Sequence, residues 1–451
     1  MFQKLQNVIL FLVFLIAILY LGYIPQQSDF IQIFIPYSLA FGGYALFIKF
    51  SKKWHPTGML AFALLCRLLL LFSFPNLSDD IYRFIWDGRM IHEGLNPYAH
   101  LPTDIVDTSK ALGQELFNNL NSPSYFTIYP PIAQFVFYIS TFANSADLLQ
   151  ETITMKAIFL VVEVANFYLI YSILKLLQSA PERIYLYALN PLIIIELFGN
   201  AHIESLLVFS VLLLIYMILK GREIASGITM AGAISIKLIP ALFMPAILWK
   251  LPSNKARVRF LISAGMAGAI LFIPLLLGTI NTISNMGSSV DLFFRKFEFN
   301  ASIYYVLRYV GYQITGYNQI ARLGPFLIII MAATVIYLAF KSEKNNNRAF
   351  ITLLLMSFTA YLFSTTIIHP WYLSIPIVLS VFTPFRFPII WSYLIFLSYV
   401  NYSYNPYYEN LWCVATEYSV VITYMWIEIK RYGVYGQKIK GWNPVSGANP
   451  S

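Results

Sequence analysis

Residues 57–89 of this 451-residue chain read TGMLAFALLCRLLLLFSFPNLSDDIYRFIWDGR. A helix of about 20 apolar residues crosses the hydrocarbon core of a bilayer, and residues 57–76 meet that length. Asp79 and Asp80 follow where such a helix would leave the membrane. The stretch therefore predicts a transmembrane helix that delivers an acidic pair to the membrane–water boundary.

Apolar segments like residues 57–76 recur along the rest of the chain. It is 58% hydrophobic, 17% aromatic and only 11% charged, with a mean hydropathy of +0.66, whereas soluble domains average about 25% charged residues. This composition excludes a soluble enzyme, a nucleic-acid-binding module and a disordered scaffold. We predict an all-α, polytopic transmembrane helical bundle of about 12–14 spans, some broken or re-entrant, in one domain over 1–432 with a polar cytoplasmic tail at 433–451.

Basic residues predict the orientation of the chain. They cluster between apolar segments near 49–53, 250–259, 341–348 and 430–440, and cytoplasmic loops carry such an excess of Lys and Arg. The net charge of +9 thus reflects topology and does not indicate a nucleic-acid partner. The polar stretches 77–128, 280–318 and 401–411 then face outward. We expect a multi-pass membrane protein whose polar stretches face the periplasm or lumen.

The middle of the chain allows two arrangements. If 129–144 crosses the membrane and 224–249 is one helix, a basic pair at 220–222 lies outside, against the charge rule. If 129–144 enters without crossing and 224–249 is a hairpin bent near Lys237, every basic cluster lies inside. We favour the second arrangement, which also brings Lys237 to the outer side.

The acidic block after residue 76 is the densest group of polar residues. Asp80, Arg83 and Asp87 have the spacing of one helix face. A carboxylate pair in a partly desolvated site is a candidate general base, because burial and like charge raise one pKa. The structural alternative is a helix end capped by acids, with an Asp–Arg pair.

Five blocks together resemble a known family: SDDIYRFIWDGRMIHEGLNPY at 78–98, YPPIAQFVF at 129–137, NPLIIIELFGNAHIESLLV at 190–208, SIKLIPALFMP at 235–245 and HPWYL at 369–373. They resemble the GT-C superfamily of integral-membrane glycosyltransferases. The likeness is greatest to bacterial polyprenol-phosphate-mannose-dependent mannosyltransferases and to the catalytic mannosyltransferase of GPI-anchor assembly.

The resemblance implies a catalytic base in the first long outer loop. That loop holds Asp79 and Asp80; we expect Asp80 to be the base and Asp79 to orient the acceptor or the base. Many members have Asp-x-Asp or Glu-x-Asp, whereas these two residues are adjacent. We therefore predict no metal site and no cofactor, although a divalent metal stays an alternative.

Further candidate site residues are polar residues of the five blocks, among which Lys237 lies inside an otherwise apolar run. Lys237, Arg83 and His369 are candidates for the donor phosphate. Lys237 has a structural alternative, in which it reaches the headgroups from a bend. The candidates for sugar or acceptor binding are Asp87, Asn96, Tyr129, Asn200, His202 and Glu204. The last three have the alternative of a polar turn, and His202 and Glu204 lack helical metal-ligand spacing.

The function predicted from this resemblance is an inverting glycosyltransferase. It would move a hexose, mannose first among them, from a polyprenyl-phosphate donor to a lipid or glycan acceptor at the outer face. Membrane lipids are the other expected partners. The alternatives are a lipid-linked sugar flippase or transporter, which commonly has internal repeats, and a surface polysaccharide polymerase or ligase, which would need several outer arginines.

Overall fold

The computed structural model describes residues 2–107, 112–142, 147–276 and 281–436. Within them the chain is all-α, as predicted, and its one β-type pairing is an isolated bridge between Phe299 and Ile367. Of the predicted tail, 437–451 lies outside the described residues. The α-helices are α1 Phe2–Tyr23, α2 Phe30–Lys49, α3 Pro56–Leu70, α4 Asp80–His92, α5 Pro102–Ile105, α6 Gln114–Asn118, α7 Pro131–Ser140, α8 Leu148–Leu176, α9 Tyr185–Ala188, α10 Glu204–Leu219, α11 Glu223–Ile236, α12 Met244–Lys250, α13 Asn254–Leu271, α14 Ile273–Leu276, α15 Asn281–Arg295, α16 Ile303–Thr315, α17 Ile320–Lys341, α18 Asn347–Ser364, α19 Ser374–Ser380, α20 Phe387–Leu394 and α21 Leu411–Tyr432.

Short helices of other types connect these elements. Ile193–Gly199 is a π-helix, which together with α10 forms a pair bent by 112°. The 3₁₀ turns are Ser51–Lys53, Pro181–Ile184, Ile239–Phe243, Pro370–Leu373 and Ile395–Ser403.

Long apolar helices make the chain a multi-pass membrane protein. Among the described residues, Leu5–Tyr23, α2, α8 and α17 are long and apolar enough to cross a membrane, and counting the bent pair as one span gives five. Shorter apolar helices of 10–17 residues add to them. The predicted 12–14 spans are therefore not reached by length and apolarity alone, because turns and polar residues divide several of the predicted segments.

Two of the predicted outer loops contain helices. Stretch 77–128 includes α4, and 280–318 includes α15 and α16. The spacing of Asp80, Arg83 and Asp87 had indicated the helix at α4, whereas α15 and α16 were not predicted.

The middle segments are short and broken. Helix α7 has ten residues, about 15 Å at 1.5 Å per residue, too short to cross the hydrocarbon core. The predicted bend lies where expected: α11 ends at Ile236, and Lys237 is extended, with φ −153° and ψ 141°. The helices on the two sides of this break have mainly different neighbours: α11 packs on α10 and α13, whereas α12 packs on α17.

Close packing fixes the helix that carries the acidic block. A Cβ atom at Gly88 in α4 would lie 2.4 Å from the carbonyl oxygen of Phe137 in α7, so only glycine permits this approach. Phe84 stacks on Phe137 with centroids 4.5 Å apart. Arg89 of α4 forms a buried ion pair with Glu151 of α8 at 2.7 Å. These contacts hold α4 with its N-terminus toward the candidate site.

Candidate active site

The predicted acidic pair lies at the start of α4. Asp79 is exposed, whereas the Asp80 side chain is 23% exposed. The side-chain nitrogen of Asn121 donates to Asp80 Oδ1 at 3.3 Å. Burial raises the pKa of Asp80 to about 6; the charges of Glu204 and Asp79 also raise it, and Lys237 and the Asn121 hydrogen bond lower it.

Two neighbouring cavities meet at Asp80. The first, of about 290 Å³, also contacts Asp79, Glu204 and Lys237. The second, of about 700 Å³, contacts Arg83, and one part of its wall is aromatic, with Tyr125, Phe126, Phe297, Phe299 and Tyr407. Both cavities share Asp80, Asn121, Ile128, Tyr129, His369 and Tyr402. A carboxyl group thus lies in the wall common to two spaces.

Lys237 is the cation of the first cavity, and an acid of the chain already pairs with it. Its Nζ lies 2.5 Å from Glu204 Oε1, and the two side chains are 19% and 3% exposed. The ammonium also lies 4.4 Å from the ring centroid of Tyr372. A lysine has three N–H donors, so the pair leaves donors for a further anion in the cavity.

An aromatic stack borders both cavities, since Trp371 and His369 line the first and His369 and Phe299 line the second. The rings of His202, Trp371, His369 and Phe299 follow one another, with centroid separations of 3.8, 4.5 and 4.7 Å. His369 contacts both cavities. Burial, with a contribution from Lys237, lowers the pKa of His369 to about 3. Its ring is therefore neutral and able to donate or accept hydrogen bonds.

His202 and its neighbours lie behind the wall of the first cavity. His202 is fully buried, with Nδ1 3.7 Å from Asp80 Oδ2 and Nε2 3.6 Å from Glu196 Oε2. Glu196 accepts hydrogen bonds from Tyr399 at 2.7 Å and from the side chain of Asn200 at 2.9 Å. Asn200 and His202, predicted to bind sugar or acceptor, are thus buried and surround Glu196.

Arg83 and Asp87 form an ion pair that stabilises the local structure around α4. Arg83 Nε donates to Asp87 Oδ1 at 2.8 Å, and its Nη1 donates to the carbonyl oxygens of Ser122 and Tyr125 at 3.0 and 2.9 Å. Gln134 donates to the other oxygen of Asp87 at 2.8 Å. The Asp–Arg pair that the sequence offered as a structural alternative is therefore present. Arg83 connects the 122–125 turn to α4, and it also contacts the second cavity.

The structure brings most of the predicted site residues together. Asp79, Asp80, Tyr129, Glu204, Lys237 and His369 line the first cavity. Asn96 is separate: its Oδ1 accepts from the backbone nitrogen of Tyr98 at 2.9 Å, and it lines a third cavity of about 380 Å³.

Several site residues escaped the sequence analysis, namely Glu196, Trp371, Tyr372 and Asn121. Glu196 had a readable signal, since it is the one acid in the apolar run PLIIIELF at 191–198, and an ionisable residue in such a run is a functional candidate. Asn121 had none, because its role depends on how the polar stretch folds back toward α4.

The described residues contain no group of three or more His, Cys, Asp or Glu that could hold a metal ion. Asp79 and Asp80 are adjacent, yet they differ in exposure. The prediction that no metal is needed stays a prediction.

Comparison with known proteins identifies a related family. A family model described as Alpha-(1->6)-mannopyranosyltransferase, N-terminal domain, matches residues 39–253. Alpha-(1->6)-mannopyranosyltransferase A of Mycobacterium tuberculosis is 26% identical over 186 residues, which are 40% of this chain and 34% of that protein. The A protein of Corynebacterium glutamicum is 24% identical over 181 residues (40% and 36%). The B protein of the same organism is 23% identical over 184 residues (39% and 30%).

These matches confirm the resemblance to GT-C membrane mannosyltransferases over the matched region. That region contains Asp79, Asp80, Glu204 and Lys237, whereas His369 lies beyond it. The matched segment spans about a third of the length of each curated relative.

Proposed function

We propose that this chain is an inverting mannosyltransferase that takes mannose from a polyprenyl-phosphate donor. The acceptor is a hydroxyl group of a lipid or glycan, and the reaction takes place at the outer face of the bacterial inner membrane. The observation that carries the proposal is the position of Asp80 in the wall common to two cavities. This arrangement suits a transferase, because its base must reach the acceptor while the acceptor reaches the donor.

The proposed chemistry uses residues of this chain alone. The Asp80 carboxylate takes the proton of the acceptor hydroxyl as its oxygen bonds to the anomeric carbon. The bond from that carbon to the phosphate oxygen breaks on the opposite face, and the phosphate leaves with the electron pair. The sugar therefore changes its anomeric configuration once.

Charge and shape suggest which cavity takes which substrate. The phosphate belongs in the first cavity, where Lys237 offers its remaining N–H donors and the neutral ring of His369 offers a hydrogen bond. The acceptor belongs in the larger second cavity, whose aromatic wall offers flat apolar surface. Glu204 keeps the charge of Lys237 balanced before an anion arrives.

The test measures sugar transfer by the purified protein from a radiolabelled polyprenyl-phosphate-mannose donor. Asp80→Asn keeps the shape of the side chain and removes the base, so we expect a loss of about 10²–10⁴-fold in rate. We expect Asp79→Asn to lose less, because Asp79 lines only the first cavity. Asp104→Asn, an exposed acid of the same polar stretch, is the matched control and should retain the wild-type rate.

Two results would contradict the proposal. Wild-type rates in both Asp79→Asn and Asp80→Asn would exclude the proposed base. Loss of transfer with a chelator, restored by a divalent cation, would exclude the metal-free chemistry.

A further inference from the structure

His202 lies in the break between two apolar helices. The π-helix Ile193–Gly199 and α10 meet there at 112°, and the residue before it, Ala201, has a positive φ of 55°. The His202 ring is fully buried and stacks on Trp371 at an interplanar angle of 20°. The imidazole is therefore fixed in position by its backbone and by ring packing.

Each nitrogen of this ring faces a different carboxyl group. Nδ1 lies 3.7 Å from Asp80 Oδ2 and Nε2 lies 3.6 Å from Glu196 Oε2. Within the described part of the chain neither nitrogen has a hydrogen-bond partner, which is costly for a buried polar atom. Catalytic hydrogen bonds are often long before substrate binds and tighten in the complex. Here each carboxyl group would need to move toward the ring by less than about 1 Å to form its hydrogen bond.

A neutral imidazole can satisfy these two neighbours in only two ways. It has one N–H donor and one lone pair, and a lone pair facing an ionised carboxylate is repelled. In the first arrangement Nδ1–H donates to an ionised Asp80, and Nε2 accepts from a protonated Glu196. In the second, Nε2–H donates to an ionised Glu196, and Nδ1 accepts from a protonated Asp80.

We propose that His202 couples Asp80 to Glu196 so that only one of these two carboxyl groups is ionised at a time. Passing from the first arrangement to the second moves the Glu196 proton to Nε2 and the Nδ1 proton to Asp80, so the number of protons is unchanged. This proposal rests on the proposed function only in that Asp80 is taken to be the catalytic base. His202 is accordingly a positioning residue, which sets the proton on the base from behind the cavity wall.

The surroundings of Glu196 fit this coupling. Glu196 is fully buried and lines neither cavity, so a bound substrate does not contact it. Among the described residues, the charged or titratable groups around the ring and its two carboxyl partners include the Lys237–Glu204 pair, His369, Asp79 and Tyr399, which donates to Glu196. Lys237, Glu204 and Asp79 act on the charge of Asp80, so they bias the balance between the two arrangements, whereas the coupling itself runs through the two ring nitrogens of His202.

The test measures the protonation of Asp80 by infrared titration of the whole protein. The carboxyl band of Asp80 is identified as the difference between each protein and its Asp80→Asn counterpart. Glu196→Gln replaces the O–H of Glu196 by a permanent N–H donor, and Asn200 can turn its amide to accept from it. The variant therefore fixes the first arrangement, and we expect the pKa of Asp80 to fall by about one pH unit, the effect of one hydrogen bond to a charged group.

A double-mutant cycle separates coupling through His202 from a direct effect of charge. His202→Phe keeps a ring against Trp371 without nitrogens, and His202→Leu is a second uncoupled background, so the cycle does not depend on the folding of one variant. In either background we expect Glu196→Gln to leave the pKa of Asp80 unchanged. An equal shift with and without His202, or no shift in the presence of His202, would overturn the proposal.

Glu417→Gln is the matched control. Glu417 is also fully buried and accepts hydrogen bonds from a tryptophan and an asparagine, Trp391 and Asn300, and we expect its loss to leave the Asp80 titration unchanged. The titration needs no sugar transfer. The expected shifts in a protein that transfers no mannose would leave the coupling intact and refute the proposed function. Mannose transfer without those shifts would refute the coupling alone.

Discussion

Asp80 combines partial exposure with a poorly solvated carboxyl group. Its side chain is 23% exposed, and burial is the largest cause of its raised pKa, ahead of the charges of Glu204 and Asp79. A general base works best when its pKa lies close to the working pH. The position of this residue at the end of an apolar segment was visible in the sequence, but its two cavities and its neighbour Asn121 were not.

The pKa of Asp80 predicts how the proposed transfer depends on pH. The carboxylate is the active form, so kcat/KM should be constant above about pH 6 and fall tenfold per unit below it. Asp79→Asn removes a like charge that raises the pKa of Asp80, so the acid limb should move to lower pH. A pH–rate profile from pH 4 to 8 measures both effects, with Asp104→Asn as the control that leaves the limb in place. An acid limb that moves to higher pH in Asp79→Asn would contradict this account.

At the scale of elements, the sequence predicted apolar segments well and their ends poorly. The segment 31–50 became α2 at Phe30–Lys49, and the break near Lys237 lies where expected. The segment 57–76 ends as a helix at Leu70, because the last residues before the acidic pair turn toward the site. The spacing of Asp80, Arg83 and Asp87 predicted the helix that is α4. Helices α15 and α16 were missed because a polar helix in a membrane protein looks like a loop when only apolar length is counted.

The contact between α4 and α7 yields a prediction about one element. A methyl group added by Gly88→Ala would lie 2.4 Å from the backbone oxygen of Phe137, so α4 must move and carry Asp80 with it. We expect a lower melting temperature, by an amount that corresponds to about 1–3 kcal/mol for overpacking, and at least a tenfold loss of transfer.

Gly42→Ala is the matched control for this change. Gly42 lies in α2, and a Cβ atom there would have nothing within 4 Å. Alanine should leave transfer unchanged and raise the melting temperature slightly, since it favours a helix over glycine. A melting temperature in Gly88→Ala equal to that of the wild type would show that α4 does not depend on this close approach.

At the scale of the whole molecule, the sequence predicted the class of protein but not the number of its membrane spans. The scarcity of charge predicted a multi-pass helical protein, and the long apolar helices confirm it. The number of spans was less accessible, because several apolar segments are helices too short or too polar to be counted from length alone. The site escaped in part because distant segments meet there: His202, in the break between two helices, lies between Glu196 and Asp80, and Trp371 stacks on it from the turn Pro370–Leu373.

The basic clusters predict which side each loop occupies. In a protein with Cys66 and Cys413 replaced, Asp104→Cys should react with a membrane-impermeant maleimide in intact spheroplasts. Lys255→Cys should react only after the membrane is permeabilised, because its cluster is expected inside. Both positions are exposed, so access alone does not distinguish them. Labelling of Lys255→Cys before permeabilisation would reverse the proposed orientation.

The carboxyl group common to the two cavities has a consequence for kinetic order. If a single base serves both spaces, the two substrates must be bound at the same moment for the reaction to proceed. Initial-rate plots against either substrate should then intersect, and donor alone should leave the protein free of covalently attached sugar. Because the two cavities adjoin at Asp80, transfer in a single displacement would thus require a ternary complex.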